Sequence, residues 1–333
     1  MEEQEQQQTI SKAQPGLLYH FTTQEGLLGI LRDKCIWATE IRYLNDTSEG
    51  QIFTKLILDE LNKRPTAEPE EPPSRLTAYE QLMRLSYGYP ESEIQFADKK
   101  ILDWGLIAFD WIRNQDTFVA SFSEQGDLLS QWRAYSGETG GYSIGFTRSY
   151  LKSVGLHFLK SRNESFYNDS NPLVACQYCD KPEEESLKRE IEQIVDSYIT
   201  EADQANWQTI SEIKERFRIL GAVAKTHFFP LGKRRATTKD QAFREEAEWR
   251  LVFQLERTGT TNSEPEFRPG RSMPIPYFKV DLTWDDQALE IPEIIVGPCS
   301  HPFEAAKSVE RLLRKQGVQK FEVKNSKIPY RNW

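Results

Sequence analysis

The sequence predicts an α+β fold: mixed, mostly antiparallel small sheets with helical insertions. Three observations lead there. Short runs in which apolar and polar side chains alternate recur along the chain, as half-buried strands require. Helical segments stand between them without the regular strand–helix alternation of a doubly wound sheet. The 333 residues, 12% of them aromatic, can fill a sizeable core, because aromatic side chains dominate buried area. One enlarged domain over residues 15–333 is expected, preceded by a polar, disordered tail at 1–14.

The elements follow in order. Leu17-Leu18-Tyr19-His20-Phe21-Thr22 reads as a strand with Leu18, His20 and Thr22 on one face. Thr22-Thr23-Gln24-Glu25 reads as a capping box, Thr22 as cap, opening a helix from Glu25 to Arg32. Ile36-Trp37-Ala38-Thr39 is a short strand, and Asp46 to Glu49 starts the next helix. Pro65 to Pro73 is a Pro/Glu-rich linker inside a helical insertion at about 55–114. Phe118 to Ser123 alternates cleanly. Asp127 is the expected cap of a helix whose Leu128, Leu129, Trp132 and Tyr135 make an apolar stripe, ended by Gly137, Gly140 and Gly141. Tyr142 to Phe146 is a strand, and 172–179 another. Residues 183–228 form a second helical insertion. Ala247 to Phe253 is a strand that puts Glu248 and Arg250 on one face. Ile275 to Leu282 and Ile291 to Val296 are strands, Pro302 to Gln316 is an amphipathic helix with Pro at its first position, and Phe321-Glu322-Val323 begins a last strand.

Charge and motifs exclude several functions. With 42 Lys plus Arg against 51 Asp plus Glu, the net charge is -9, a poor basis for general phosphate-backbone binding. The densest basic run, Gly232-Lys233-Arg234-Arg235, reads as a solvated loop. No apolar run approaches a membrane span. Met1 to Gln8 lacks the basic start and apolar stretch of a signal peptide, and four Cys make no disulfide framework. A cytoplasmic protein with reduced thiols and no membrane contact is expected. The phosphate-binding, dinucleotide-binding, zincin and hydrolase signatures are all missing. Cys176-x-x-Cys179 is half a zinc site, but Cys299-x-His301 is a poor second half, so no metal is expected.

The chemistry-bearing candidates each have a plainer account. His20 is either a packed strand histidine or a group facing a ligand. Glu248 either pairs with Arg250 at a sheet edge or is held in a cleft to orient hydroxyls or steady a cation. Ser121 and Ser123 line one strand face. Trp132 and Tyr135 fit core packing, whereas Arg133 lies off the stripe and suits an anion. Asn45 is not needed for capping and is free to face a cleft.

Taken together, Tyr19-His20-Phe21-Thr22 with Gly26-Leu27-Leu28, Trp37-Ala38-Thr39, Leu44-Asn45-Asp46, Ser121-Phe122-Ser123, Gln131-Trp132-Arg133-Ala134-Tyr135, Gly141 to Phe146, Glu246 to Val252 and Ile294 to Pro298 resemble the bacterial family catalogued as domain of unknown function 2971, over about residues 17–300. The opening also resembles the ADP-ribosyltransferase superfamily, especially its DNA-modifying toxin branch. That resemblance implies NAD as substrate without a metal. It implies a first-strand His20, with Thr22, on the nicotinamide-side ribose, and Tyr135 or Tyr43 stacked on nicotinamide. Glu248 would stabilise the oxocarbenium-like transition state. Asn45 and Ser121 would line the cleft, and Arg133 or Arg250 would hold the pyrophosphate. The role expected is a toxin or anti-phage defence effector with a protein or nucleic-acid acceptor, the helical insertions offering a partner surface. The alternative is a non-catalytic nucleotide sensor or interaction module using the same cleft.

Overall fold

The computed structural model describes residues 16–44, 116–137, 140–162, 171–205, 213–255, 264–285 and 287–329, with the short pieces 56–57, 59–60 and 209–210. The expected tail, the Pro65 to Pro73 linker, Asn45 and nearly all of the 55–114 insertion lie outside these residues.

The elements run β1 (Leu17–Thr23), α1 (Gln24–Asp33), β2 (Cys35–Glu40), a 3-10 turn (Ile41–Tyr43), β3 (Asp116–Ser123), α2 (Leu129–Tyr135), β4 (Gly141–Thr147), α3 (Arg148–Ser161), β5 (Leu173–Ala175) and β6 (Gln177–Cys179). There follow α4 (Lys181–Gln204), α5 (Ile213–Thr237), β7 (Thr238–Asp240), a 3-10 turn (Gln241–Glu246), β8 (Glu248–Leu255), β9 (Glu266–Pro269), β10 (Pro274–Asp281), β11 (Glu293–Val296), α6 (Pro302–Lys315) and β12 (Glu322–Asn325). The fold is α+β, as the sequence predicts, but the strands are less divided than expected. Among the described residues, ten form one sheet in the order β12-β11-β4-β1-β3-β2-β10-β9, with β8 on the other edge of β3 and β5 beyond β8. Its pairings are antiparallel except β11 with β12, and β6 pairs with β7 in a small parallel sheet.

The sheet forks at β3. Tyr19 of β1 pairs with Ser123, while Thr39 and Glu40 of β2 pair with Val119 and Phe118 on the same edge. Between these attachments Ala120 to Phe122 have no strand partner on that side among the described residues. β1 leaves to run along β4, and β2 joins from β10. The opposite edge of β3 is paired with β8 along its whole length, Asp116 with Leu255 through Ser123 with Glu248.

One face of this sheet carries the main core. Leu18, Phe118, Ala120, Phe122, Ile144, Phe146, Leu251 and Phe253 pack there with Leu27 and Leu31 of α1, Leu151, Val154 and Phe158 of α3, and Val309 and Leu313 of α6. Alternation sends the neighbouring residues to the second face. There Phe21 meets Trp132 of α2 edge-on at 4.8 Å, and Val119 and Val252 pack with Ile41 and Ala236.

The second insertion has a core of its own. Leu187, Ile191, Val195 and Tyr198 of α4 meet Leu220, Val223, Ala224, Phe228 and Leu231 of α5. α5 extends past the expected end at 228 and absorbs the basic run. Gly232 to Arg235 is helical rather than a loop, with Arg234 and Arg235 in the last turn, where cations suit the helix dipole. Two caps also differ from expectation. Thr23, not Thr22, caps α1 by accepting from the Gly26 N–H at 3.1 Å. Asp127 does not cap α2, whose N-cap is Leu128 without a side-chain bond. Its carboxylate instead accepts from Trp132 Nε1 at 2.7 Å, Ser326 Oγ at 2.5 Å and the Lys327 N–H at 2.8 Å, tying the segment after β12 to α2.

Candidate active site

Glu248 opens β8 on the second face. The chain reaches it through the Gln241–Glu246 turn, which Asp240 starts by accepting from the Ala242 N–H, and through Ala247 in the left-handed region at φ 42°. That reversal sets Glu248 back against Lys239 of β7. The residue is 7% exposed. Arg250 Nε donates to Oε1 at 2.7 Å and Nη2 to Oε2 at 3.2 Å, while Lys239 Nζ donates to Oε2 at 2.6 Å. Burial pushes the carboxyl upward, but the Arg250 guanidinium and the Lys239 ammonium overcome it and hold Glu248 down at about 2. A carboxylate has about four lone-pair positions. Three take these donors, and no further described residue donates to Oε1.

The surroundings fix this group firmly. The Glu248 N–H donates to Tyr178 Oη at 2.7 Å, and the Glu248 carbonyl accepts from the Cys176 N–H at 2.8 Å. The Cys176-x-x-Cys179 segment thus braces the strand; the expected continuous strand over 172–179 breaks at Cys176 into β5 and β6, which join different sheets. Arg250, 2% exposed, donates Nη1 to the Ala236 carbonyl at 2.7 Å. Lys239 also reaches Glu246 Oε2 at 2.7 Å, so one ammonium bridges two carboxylates. Both plain and functional accounts of Glu248 therefore start from a Glu248–Arg250 pair. Lys239 went unforeseen in the sequence, because no spacing rule links a residue to one nine positions on across a turn.

The other candidates divide by face. Ser121 pairs with Arg250, and Ser123 with Glu248, so both serines share the Glu248 face. Ser123 Oγ is engaged, donating to the Glu246 carbonyl at 2.7 Å and accepting from the Gln125 N–H at 3.0 Å. Ser121 is half-buried. Tyr135 at the end of α2 is 40% exposed, yet partial burial and then the Glu248 and Glu246 carboxylates push its phenol up to about 12, with Lys239 and Arg250 opposing. The structure thus brings Tyr135 to the Glu248 charges. Arg133 is exposed on the same short helix. Tyr43 ends the 3-10 turn after β2, beside Arg42, which pairs with Glu40 at 2.7 Å and Asp116 at 2.8 Å.

His20 and Thr22 stand apart from Glu248. Tyr19 pairs with Ser123, which pairs with Glu248, so these three side chains emerge on one face. His20, one residue on, emerges on the other, with its ring 5.7 Å from that of Phe122 in the main core. Nδ1 lies 3.0 Å from the Ser121 carbonyl. A carbonyl only accepts, so Nδ1 carries the proton. Burial holds the imidazole below its ordinary 6.5, the Ser121 bond opposing. His20 thus plugs the fork of the sheet instead of facing Glu248. Thr22 shares its face, and its Oγ1 lies 1.9 Å from where a Cβ on Gly26 would sit, so its hydroxyl folds over the start of α1.

Two surface hollows, of about 460 Å³ beside Arg314 and Phe321 and about 310 Å³ beside Trp284 and Leu289, include none of these residues. Among the described residues no group of His, Cys, Asp and Glu could hold a metal ion, and no helix is long and apolar enough to cross a membrane.

Residues 131–251 match the model of a family described as a protein of unknown function (DUF2971). The match spans α2 to the middle of β8, so it holds Tyr135, Lys239, Glu248 and Arg250 and leaves out β1. No curated protein and no solved structure matches the chain.

Proposed function

We propose that this chain is an ADP-ribosyltransferase-like protein that consumes NAD, with Glu248 as the carboxylate that steadies the sugar cation. The observation that carries the reading is the state of Glu248: ionised, 7% exposed and oriented by two cations. When the nicotinamide–ribose bond breaks, nicotinamide leaves with the electron pair and positive charge develops on the sugar. A fixed anion answers that charge without reorganising as it forms. The remaining lone-pair position on Oε1 suits a ribose hydroxyl. Tyr135 is the aromatic group for the nicotinamide ring and Arg133 the exposed cation for the pyrophosphate. Arg250 keeps a positioning role, since its guanidinium is committed to Glu248 and Ala236. The acceptor is a protein or nucleic acid, and the role of toxin or phage-defence effector follows the family resemblance. The α4–α5 pair, which has a core of its own, is the surface for a partner protein.

A second reading is favoured by one observation. Lys239 and Arg250 already offset the charge of Glu248, which suits a nucleotide-binding sensor without turnover. Incubation of the full chain with NAD and candidate acceptors separates the two. Nicotinamide release that falls at least about a hundredfold in Glu248→Gln, the scale of losing one preorganised electrostatic contact, supports the enzyme. NAD binding by calorimetry with no release under any acceptor supports the sensor.

A further inference from the structure

The second face continues past the fork. Thr39 pairs with Val119 on one side and Tyr277 on the other, so Trp37, Thr39 and Tyr277 emerge on the same side as Ser121 and Arg250. Tyr277 pairs with Glu266, and Arg268, two residues on, joins them. This corner is unusual in two respects. Trp37 is 45% exposed with its ring 4.5 Å from that of Tyr277, tilted by 38°. Beside it stands Arg268, with its guanidinium 5.8 Å from the Trp37 ring.

Among the described residues Arg268 is a cation without an anion. Its Nη2 donates to Thr39 Oγ1 at 3.4 Å, while its buried Nε has no hydrogen-bond partner among the described residues. The nearby carboxylate, Glu266, is taken by Lys279 at 2.8 Å and by the Tyr277 hydroxyl at 3.1 Å. Among the described residues no carboxylate pairs with Arg268. A buried N–H left unmade is costly, and a guanidinium fork matches phosphate oxygens. An exposed indole beside it offers a flat surface on which a base stacks.

We infer that Trp37, Tyr277 and Arg268 form a binding subsite for a 5′-nucleotide: the base lies on the Trp37 ring and the phosphate accepts from the Arg268 guanidinium. The nucleotide is either the adenosine half of NAD or a separate mononucleotide. The subsite does not depend on turnover at Glu248.

The test is calorimetric titration of the full chain with AMP, with adenosine as the phosphate-free control. AMP is expected to bind, adenosine more weakly. Trp37→Ala and Arg268→Gln should each weaken AMP by about tenfold or more, the scale of one base stack or one charged hydrogen bond. Trp37→Ala alters an exposed side chain, and circular dichroism of each variant shows that it is folded. Competition assigns the source: NAD displacing AMP makes it the adenosine half of NAD, and simultaneous binding makes it a separate nucleotide. Glu248→Gln should bind AMP as the wild type does, whether or not nicotinamide is released, so the two readings fail separately. No AMP binding at millimolar concentration, or folded Trp37→Ala and Arg268→Gln chains that bind AMP like the wild type, overturns the subsite.

Discussion

Lys239 and Glu248 meet at 2.6 Å with both side chains almost fully covered, 5% and 8% exposed. The contact is made by the turn between them. β7 ends at Asp240, a 3-10 turn follows, and Ala247 reverses the chain into β8. With Arg250 on the other side, the carboxylate sits between two cations, and Lys239 also serves Glu246.

Removing one member of such a group leaves a buried charge uncompensated. Glu248→Ala is expected to cost about 3–5 kcal/mol. Lys239→Met should cost less, because Arg250 still pairs with Glu248 and Glu246 is partly solvated. The double variant should cost less than the sum. Urea unfolding of the four chains in a double-mutant cycle measures this; additive effects would mean that the two groups do not interact.

Acid should act through Glu248. Its carboxyl titrates at about 2 in the folded chain against an ordinary 4.5. The folded value is depressed, so the stability it contributes is present above 4.5 and is lost as pH falls from there toward about 2. Over that window the wild type should lose stability faster than Glu248→Gln. Parallel curves for the two chains would place the acid sensitivity elsewhere.

His20 should be a neutral imidazole with its proton on Nδ1, bonded to the Ser121 carbonyl. Nitrogen NMR is expected to show that tautomer at neutral pH, with titration only below 6.5. His20→Asn retains an N–H donor near the same position. It should fold and keep any NAD turnover within a few-fold, because a group behind the sheet does not touch the reacting atoms. A folded His20→Asn chain that has lost turnover would return the imidazole to the substrate.

Asp127 should hold the segment after β12. Asp127→Ala removes three acceptor contacts, to Trp132, Ser326 and Lys327. A loss of about 1–3 kcal/mol is expected, with faster amide exchange at Lys327 and Ile328. Unchanged exchange there would show that the carboxylate is not the clasp.

Much of this protein can be read along the chain. Alternation at Phe118 to Ser123, Tyr142 to Phe146 and Glu248 to Phe253 gives strands, because side-chain direction in a strand is a local property. The same alternation puts Glu248 and Arg250 on one side, and their pairing follows at short range. Pro302 at the first turn marks α6 in the same local way. The alternation also groups His20 with Leu18 and Thr22, which is correct. What it cannot supply is which side of the sheet that group occupies relative to Glu248. That depends on the Tyr19–Ser123 and Ser123–Glu248 registers, set by residues more than a hundred positions apart. A shift of one residue in either register would have exchanged the faces. Lys239 beside Glu248, Arg268 beside Trp37 and Asp127 beside Ser326 are likewise decided by how separate elements pack. The sequence by itself determined the strands, the helices and the presence of a carboxylate costly to bury. Only the tertiary structure decided which cations hold that carboxylate and that His20 stands behind the sheet, because strand register and long-range packing carry no local periodicity.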